Sequence, residues 1–169
     1  MSGRDYDRER MAADAHLLRD GKGRGAVALL LFALALGGCS NEGPTTVPVE
    51  CKAGPQAVRS ALASAPEPVT LDGVPLSGCL TRASDAGDLQ AVGAAYVEVA
   101  AELATDARRD PEGPAAEQLG YLTGAVRRGA ATTQGIHEEL RRRLEQELSI
   151  VDTGSAAFQE GERAGRATG

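Results

Sequence analysis

Between Asp85 and Pro111, the apolar residues Leu89, Val92, Tyr96, Val99 and Leu103 recur at intervals of three and four. That spacing gathers all five on one stripe of an α-helix, whereas a strand would scatter them over both faces. A helix with a single apolar stripe must bury it against other elements, so the remaining chain has to supply partners. Two further segments do. Leu119, Leu122 and Val126 mark a second helix, and Ile136, Leu140, Leu144, Leu148 and Val151 mark a third. The third carries charges spaced for i,i+4 pairs: Glu138 with Arg142, Glu139 with Arg143, Arg141 with Glu145 and Arg143 with Glu147.

The helix ends are read from capping chemistry. Ser84 or Asp88 can cap the first long helix, and Asp110-Pro111-Glu112 offers a cap, a first-turn proline and an acid for the second. Arg127 and Arg128 suit the negative end of that second helix, and Gly129 with Thr132-Thr133 marks a break and restart. After Asp152-Thr153-Gly154 the glycine-punctuated segment SAAFQEGERAGRATG predicts a short last helix around Phe158 and a frayed end.

Upstream, Val58 and Leu62 place a short helix over Gln56–Ala63, ended by Pro66 and Pro68. From Pro68 to Leu80 the alternation of Val69 with Leu71 and of Val74 with Leu76, around Asp72-Gly73, predicts a small hairpin or turn. The expected fold is therefore all-α, a small bundle of three to four main helices against which this N-terminal segment packs. With no Trp, two Phe and three Tyr, its core must be built from Leu, Val and Ala. Gly120 and Gly124, inside a helical pattern, suit close helix packing better than ligand approach.

Residues 26–36 read AVALLLFALAL, preceded by Lys22 and Arg24 and followed by Gly37 and Gly38. This is the charged, apolar, small-residue order of a signal peptide. As a helix the run measures roughly 16 Å at about 1.5 Å per residue, well short of a hydrocarbon core of about 30 Å. It ends in Leu36-Gly37-Gly38-Cys39, which resembles the lipobox of bacterial lipoproteins. The resemblance covers the signal region alone. It implies cleavage between Gly38 and Cys39, a diacylglyceryl group on the Cys39 sulfur and often a further acyl chain on the new N-terminus, two or more chains being what stable anchoring requires. Residues 1–24 are longer and richer in acids than a usual leader. A later start at Met11 or at a non-Met codon accounts for this, the alternative being a cytoplasmic extension.

With Cys39 lipidated, Cys51 and Cys79 remain as a pair, and in an exported protein they are expected to form a disulfide. The predicted organisation is a signal peptide over residues 1–38, a lipidated flexible tether over 39–50 and a helical domain over 51–169, whose N-terminal helix and turn are held by the disulfide. From Cys39 onward there are 12 Lys and Arg against 19 Asp and Glu, a net charge of −7. An acidic domain lacks the electrostatic footprint for nucleic acid and gains little from anionic headgroups, so its membrane contact must come through the lipid on Cys39.

Chemistry-bearing residues are few. His137 is the one histidine after Cys39, and Glu138 and Glu139 beside it suggest at most a general acid/base pair; HEE lacks the second histidine of a helical zinc motif. Tyr96 and Tyr121 fit core positions with their hydroxyls near the surface. Asp85, Asp88, Asp106 and Asp110 lack the alternating spacing of a calcium loop. No metal or cofactor is implied. The leading expectation is a non-enzymatic binding or structural module, lipid-anchored on the extracytoplasmic face of the cell membrane, with an outer-membrane address open if two membranes exist, and with an envelope protein or polymer as partner. The alternatives are a small-ligand carrier with a pocket near Tyr96, Tyr121 and His137, and an enzyme using His137.

Overall fold

A computed structural model describes residues 46–131 and 135–169. Gly38, Cys39, the apolar run before them and the Thr132-Thr133 pair lie outside the described residues. A 3-10 helix (Val49–Lys52) and α1 (Pro55–Leu62) lead into a hairpin of β1 (Thr70–Leu71) and β2 (Val74–Pro75). There follow α2 (Leu76–Arg82), α3 (Ala86–Ala107), α4 (Pro114–Ala131), α5 (Ile136–Glu147), a second 3-10 turn (Leu148–Ile150) and α6 (Ala156–Thr168). The described chain is mostly helical, as expected. Its six α-helices exceed the three or four anticipated, and the antiparallel hairpin qualifies the all-α description.

The stripe on α3 is buried throughout, from Leu89 to Leu103. Its cap is Asp85 rather than Ser84 or Asp88: the Asp85 carboxylate accepts the Asp88 backbone N–H at 2.8 Å, while the Asp88 side chain pairs with Lys52. In α1, Val58 and Leu62 are buried as their spacing demands. The hairpin pairs Leu71 with Val74 and Thr70 with Pro75. Asp72 and Gly73 both take positive φ, 49° and 78°, which a two-residue turn matched to strand twist requires and which an Asp-Gly pair tolerates. α2 starts directly after this hairpin with Pro75 as its N-cap, so residues expected to extend a turn are helical.

Several boundaries differ from expectation, and α5 ends at Glu147, so that Leu148 and Val151, expected on its stripe, fall in a 3-10 turn and just after it. The first proline of α4 is Pro114, with Pro111 in the preceding turn, and α4 runs through Gly129 to Ala131. Gly135, at φ 82°, stands directly before α5. At the N-terminal side, Val47 is buried and Val49–Lys52 is helical, so the folded domain takes in residues assigned above to the tether.

Cys51 and Cys79 form the expected disulfide, with Cα atoms 5.6 Å apart. It ties the first 3-10 helix to α2, and closing a 28-residue separation stabilises by about 3 to 4 kcal/mol in the chain-entropy account.

The central element is α4, in which every residue from 119 to 126 is buried. α3 and α2 pack on it, and α6 lies against it most closely of all. The reason is glycine. A Cβ at Gly120 would run into the Phe158 carbonyl, at Gly124 into the Glu162 carbonyl, at Gly161 into the Glu117 carbonyl and at Gly165 into the Tyr121 carbonyl. Backbone therefore meets backbone, at a separation that admits Cα–H to carbonyl contacts. Residue numbers rise together along the two helices, so α4 and α6 are parallel, with α5 in the crossover between them.

Both ends of α6 are held by residues flanking or ending α4. Ser155 caps its first turn, and the Glu112 carboxylate accepts the N–H groups of Ala156 and Ala157 at 3.3 and 3.2 Å. At the other end, Arg128 donates to the carbonyls of Arg166 and Ala167. The segment expected to fray is thus a capped 13-residue helix ending at a buried Gly169.

This packing predicts that Gly161→Ala lowers the unfolding free energy by about 1 to 3 kcal/mol or more in urea titration, the usual range for overpacking. Gly87→Ala, whose Cβ would meet only the Asp85 carboxylate at 3.4 Å, should leave stability unchanged or slightly raised.

Candidate functional site

Tyr96, Tyr121 and His137 are buried, and their polar tips are engaged within the fold. The Tyr96 hydroxyl donates to the Leu76 carbonyl at 2.9 Å, and burial pushes its phenol far above the usual range. The Tyr121 hydroxyl accepts the Val69 N–H at 2.9 Å and shares a hydrogen with Thr168 Oγ1 at 3.0 Å. His137, 8% exposed, places Nε2 3.0 Å from the Leu80 carbonyl; a carbonyl can only accept, so Nε2 carries the hydrogen.

Leu76 and Leu80 lie one turn apart on α2. Tyr96 and His137 therefore grip the same short helix, Tyr121 grips Val69 at the entry to the hairpin before it, and Ser77 Oγ, also on α2, donates to the Gly169 carbonyl. Neither tyrosine keeps its hydroxyl at the surface as expected, because each has a backbone partner to satisfy inside.

Nor do the acids beside His137 turn toward it. Glu138 pairs with Arg141, and Glu139 pairs with Arg142 and Arg143. Glu139–Arg143 and Arg141–Glu145 have the expected i,i+4 spacing, whereas the other pairs in this run span three residues. Hydrogen bonds from these arginines hold the Glu138 and Glu139 carboxyls below their ordinary range. Among the described residues no cluster of three or more His, Cys, Asp or Glu side chains could hold a metal ion. Asp106 instead pairs with Arg59 and Arg109.

Two surface clefts fall elsewhere. The smaller, about 510 Å³, lies between α1 and the α3–α4 connection and is lined by Arg59, Asp106, Asp110 and Gln118. Arg59 Nη1 is buried there without a hydrogen-bond partner among the described residues. Two aspartates against one arginine make this cleft acidic.

The larger, about 680 Å³, opens between the end of α4, the Leu148–Ile150 turn and α6. Gln159, Glu162, Arg163 and Arg166 line it from one face of α6, at helical spacings of three and four. The half-buried Leu148 supplies apolar surface, Phe158 being buried in the core, and Arg127 and Glu145 enter from α4 and α5. Charges here form a chain rather than isolated pairs. Arg127 pairs with Glu162 and, at 3.5 Å, with Glu145; Arg166 donates to Glu162 through Nε and Nη2 at 3.1 and 2.7 Å; Glu145 also accepts from Arg141.

For Glu162, burial works to raise the pKa, but the hydrogen bond from Arg166 and the charge of Arg127 outweigh it and leave the carboxyl below its ordinary value. Arg163 is exposed and has no ion pair among the described residues. Among the described residues this cleft combines a fixed polar frame, an apolar floor and donors to spare. Sequence reasoning passed over it because its charges come from three elements and each, taken along its own helix, is indistinguishable from a solvated face.

No protein-family model, curated protein or solved structure matches the chain.

Two outcomes follow from these environments. Tyr96→Phe, which removes only the hydroxyl that satisfies the Leu76 carbonyl, should cost about 1 to 2 kcal/mol in denaturant titration. Glu117 is the reverse of Glu162: partial burial and then the nearby Glu160 charge raise its pKa, so its ionised form opposes folding. Glu117→Gln should therefore raise the melting temperature at pH 7, and the difference from wild type should vanish as pH falls below the carboxylate range and Glu117 becomes neutral.

Proposed function

We propose that the chain is a cell-envelope lipoprotein, cleaved between Gly38 and Cys39 and held at the extracytoplasmic face of a membrane by lipid on Cys39. Its helical domain acts as a non-enzymatic binding or structural module. The observation that carries this reading is the run from Ala26 to Cys39, in which a basic flank, a short apolar stretch, two glycines and a cysteine come in order. The disulfide supports it, since Cys51 and Cys79 are joined to each other and leave Cys39 as the remaining thiol. No described helix is long and apolar enough to cross a membrane, so attachment of this domain needs another means.

Burial of Val47 tightens the geometry of such an anchor. From Ser40 to Thr46 seven residues separate the lipidated position from the folded domain. At up to about 3.6 Å each they reach at most about 25 Å, less than the thickness of the domain's own membrane. The near side of the domain is thereby kept within about that distance of the bilayer surface. Catalysis by His137 finds no support, because its Nε2 is bonded to the Leu80 carbonyl and its neighbouring carboxylates are paired with arginines.

Metabolic labelling of the expressed full chain with a radioactive fatty acid, followed by detergent phase partition, tests the anchor. The wild type should incorporate label and enter the detergent phase. Cys39→Ser should lose both and retain the intact signal segment by mass. Label and partition unchanged by Cys39→Ser would overturn the proposal.

A further inference from the structure

We propose that the cleft between α4 and α6 is a binding site for a small organic carboxylate that carries an apolar group. The inference deepens the binding-module reading and is independent of lipid attachment. It starts from the excess of cation over anion in the cleft: Arg127, Arg163 and Arg166 against Glu145 and Glu162, in a domain that is otherwise acidic.

The guanidinium groups differ in how they are committed. Arg127 is tied to Glu162 and Glu145. Arg166 spends Nε and Nη2 on Glu162, which fixes its plane and leaves Nη1 without an acceptor among the described residues. Arg163 stands one turn before, with all its donors unspent among those residues. A planar carboxylate is the group that such forks match, and the cleft already holds one, Glu162, whose single oxygen Oε1 accepts from both Arg127 and Arg166.

The walls define the rest of the ligand. A cleft of about 680 Å³ is far larger than a lone anion, and its apolar floor is the half-buried Leu148, the Phe158 ring being buried in the core. Ser149 and Thr153 on the rim add hydroxyls that can donate or accept. An occupant that lays an apolar body on the floor and presents its carboxylate to Arg163 and Arg166 satisfies both kinds of surface. The smaller cleft offers no such match, since its aspartates would repel the same anion.

The test is isothermal titration and amide chemical-shift mapping on the full chain in detergent micelles, with 4-phenylbutyrate as probe. Saturable binding is expected, with shifts confined to the residues that line the cleft on α6, the Leu148–Ile150 turn and the facing positions of α4 and α5. The neutral 4-phenylbutanol and inorganic phosphate should each bind far more weakly, as each lacks one of the two features. Arg163→Ala should weaken binding about tenfold, the usual worth of a charge-assisted hydrogen-bonded contact, with an unchanged melt. Arg163→Lys should recover part of the loss, and Arg108→Ala on the far end of α3 should bind as wild type. No saturable binding, equal binding of the alcohol or of phosphate, or indifference to Arg163→Ala would each overturn the inference. A protein partner captured by the lipidated chain while the cleft stays empty would leave the binding-module reading standing and this inference refuted.

Discussion

The direct backbone contact between α4 and α6 is the constraint around which the rest of the domain is arranged. Helices of ordinary composition are kept apart by the side chains between them, and ridges fitted into grooves set their separation. Here the facing positions have no side chains: Gly120 and Gly124 on one helix meet Gly161 and Gly165 on the other. The pair behaves as a single thick rod. With α6 occupying one side of α4, the larger side chains of α3 and the α2 segment cover the others, and a chain with only five aromatic residues still closes a continuous core. Small residues concentrate where approach must be close, and Leu, Val and Tyr concentrate where distance has to be filled.

A second group of interactions secures the one irregular part of the fold. The segment from Val69 to Arg82 is short, contains a hairpin of two-residue strands and a seven-residue helix, and has little cooperative strength of its own. It is held by the disulfide at Cys79 and by four polar groups that reach it from elsewhere: Tyr96, Tyr121, His137 and the carbonyl of Gly169. The residues whose chemistry drew most attention as a possible site are therefore those the fold uses as buried pins, each bonded to a backbone group of this segment.

Legibility in the sequence followed the size of the side chains. The α3 stripe was readable because five large apolar residues repeat with the helical period, and the Asp72-Gly73 turn because positive φ restricts the choice of residues. The disulfide became readable once Cys39 had been set aside for another role. α2 was hidden by Pro75 and Gly78, which signal a turn but sit at the N-cap and within the helix. The length and firm end of α6 were hidden by its own glycines: read locally they weaken a helix, and only their contact with α4, some forty residues away, reveals that they permit it. The arginine cleft was illegible for a related reason, as nothing local to α6 shows that Arg127 and Glu145 stand beside it. Local patterns report propensity and one-sided burial; they carry no record of which distant backbone or charge completes the arrangement.

The glycine contact also governs how this architecture can change over evolutionary time. Surface charges, the length of α5 and even the pins on α2 can be exchanged for others of similar reach, but a side chain at the crossing would force two helices apart along their whole contact. The spacing Gly-x3-Gly in one helix, followed by Gly-x3-Gly-x3-Gly in a later one, is consequently the most durable signature of the fold. Chains that have diverged beyond overall similarity should still share it, alongside two cysteines placed ahead of the first long helix.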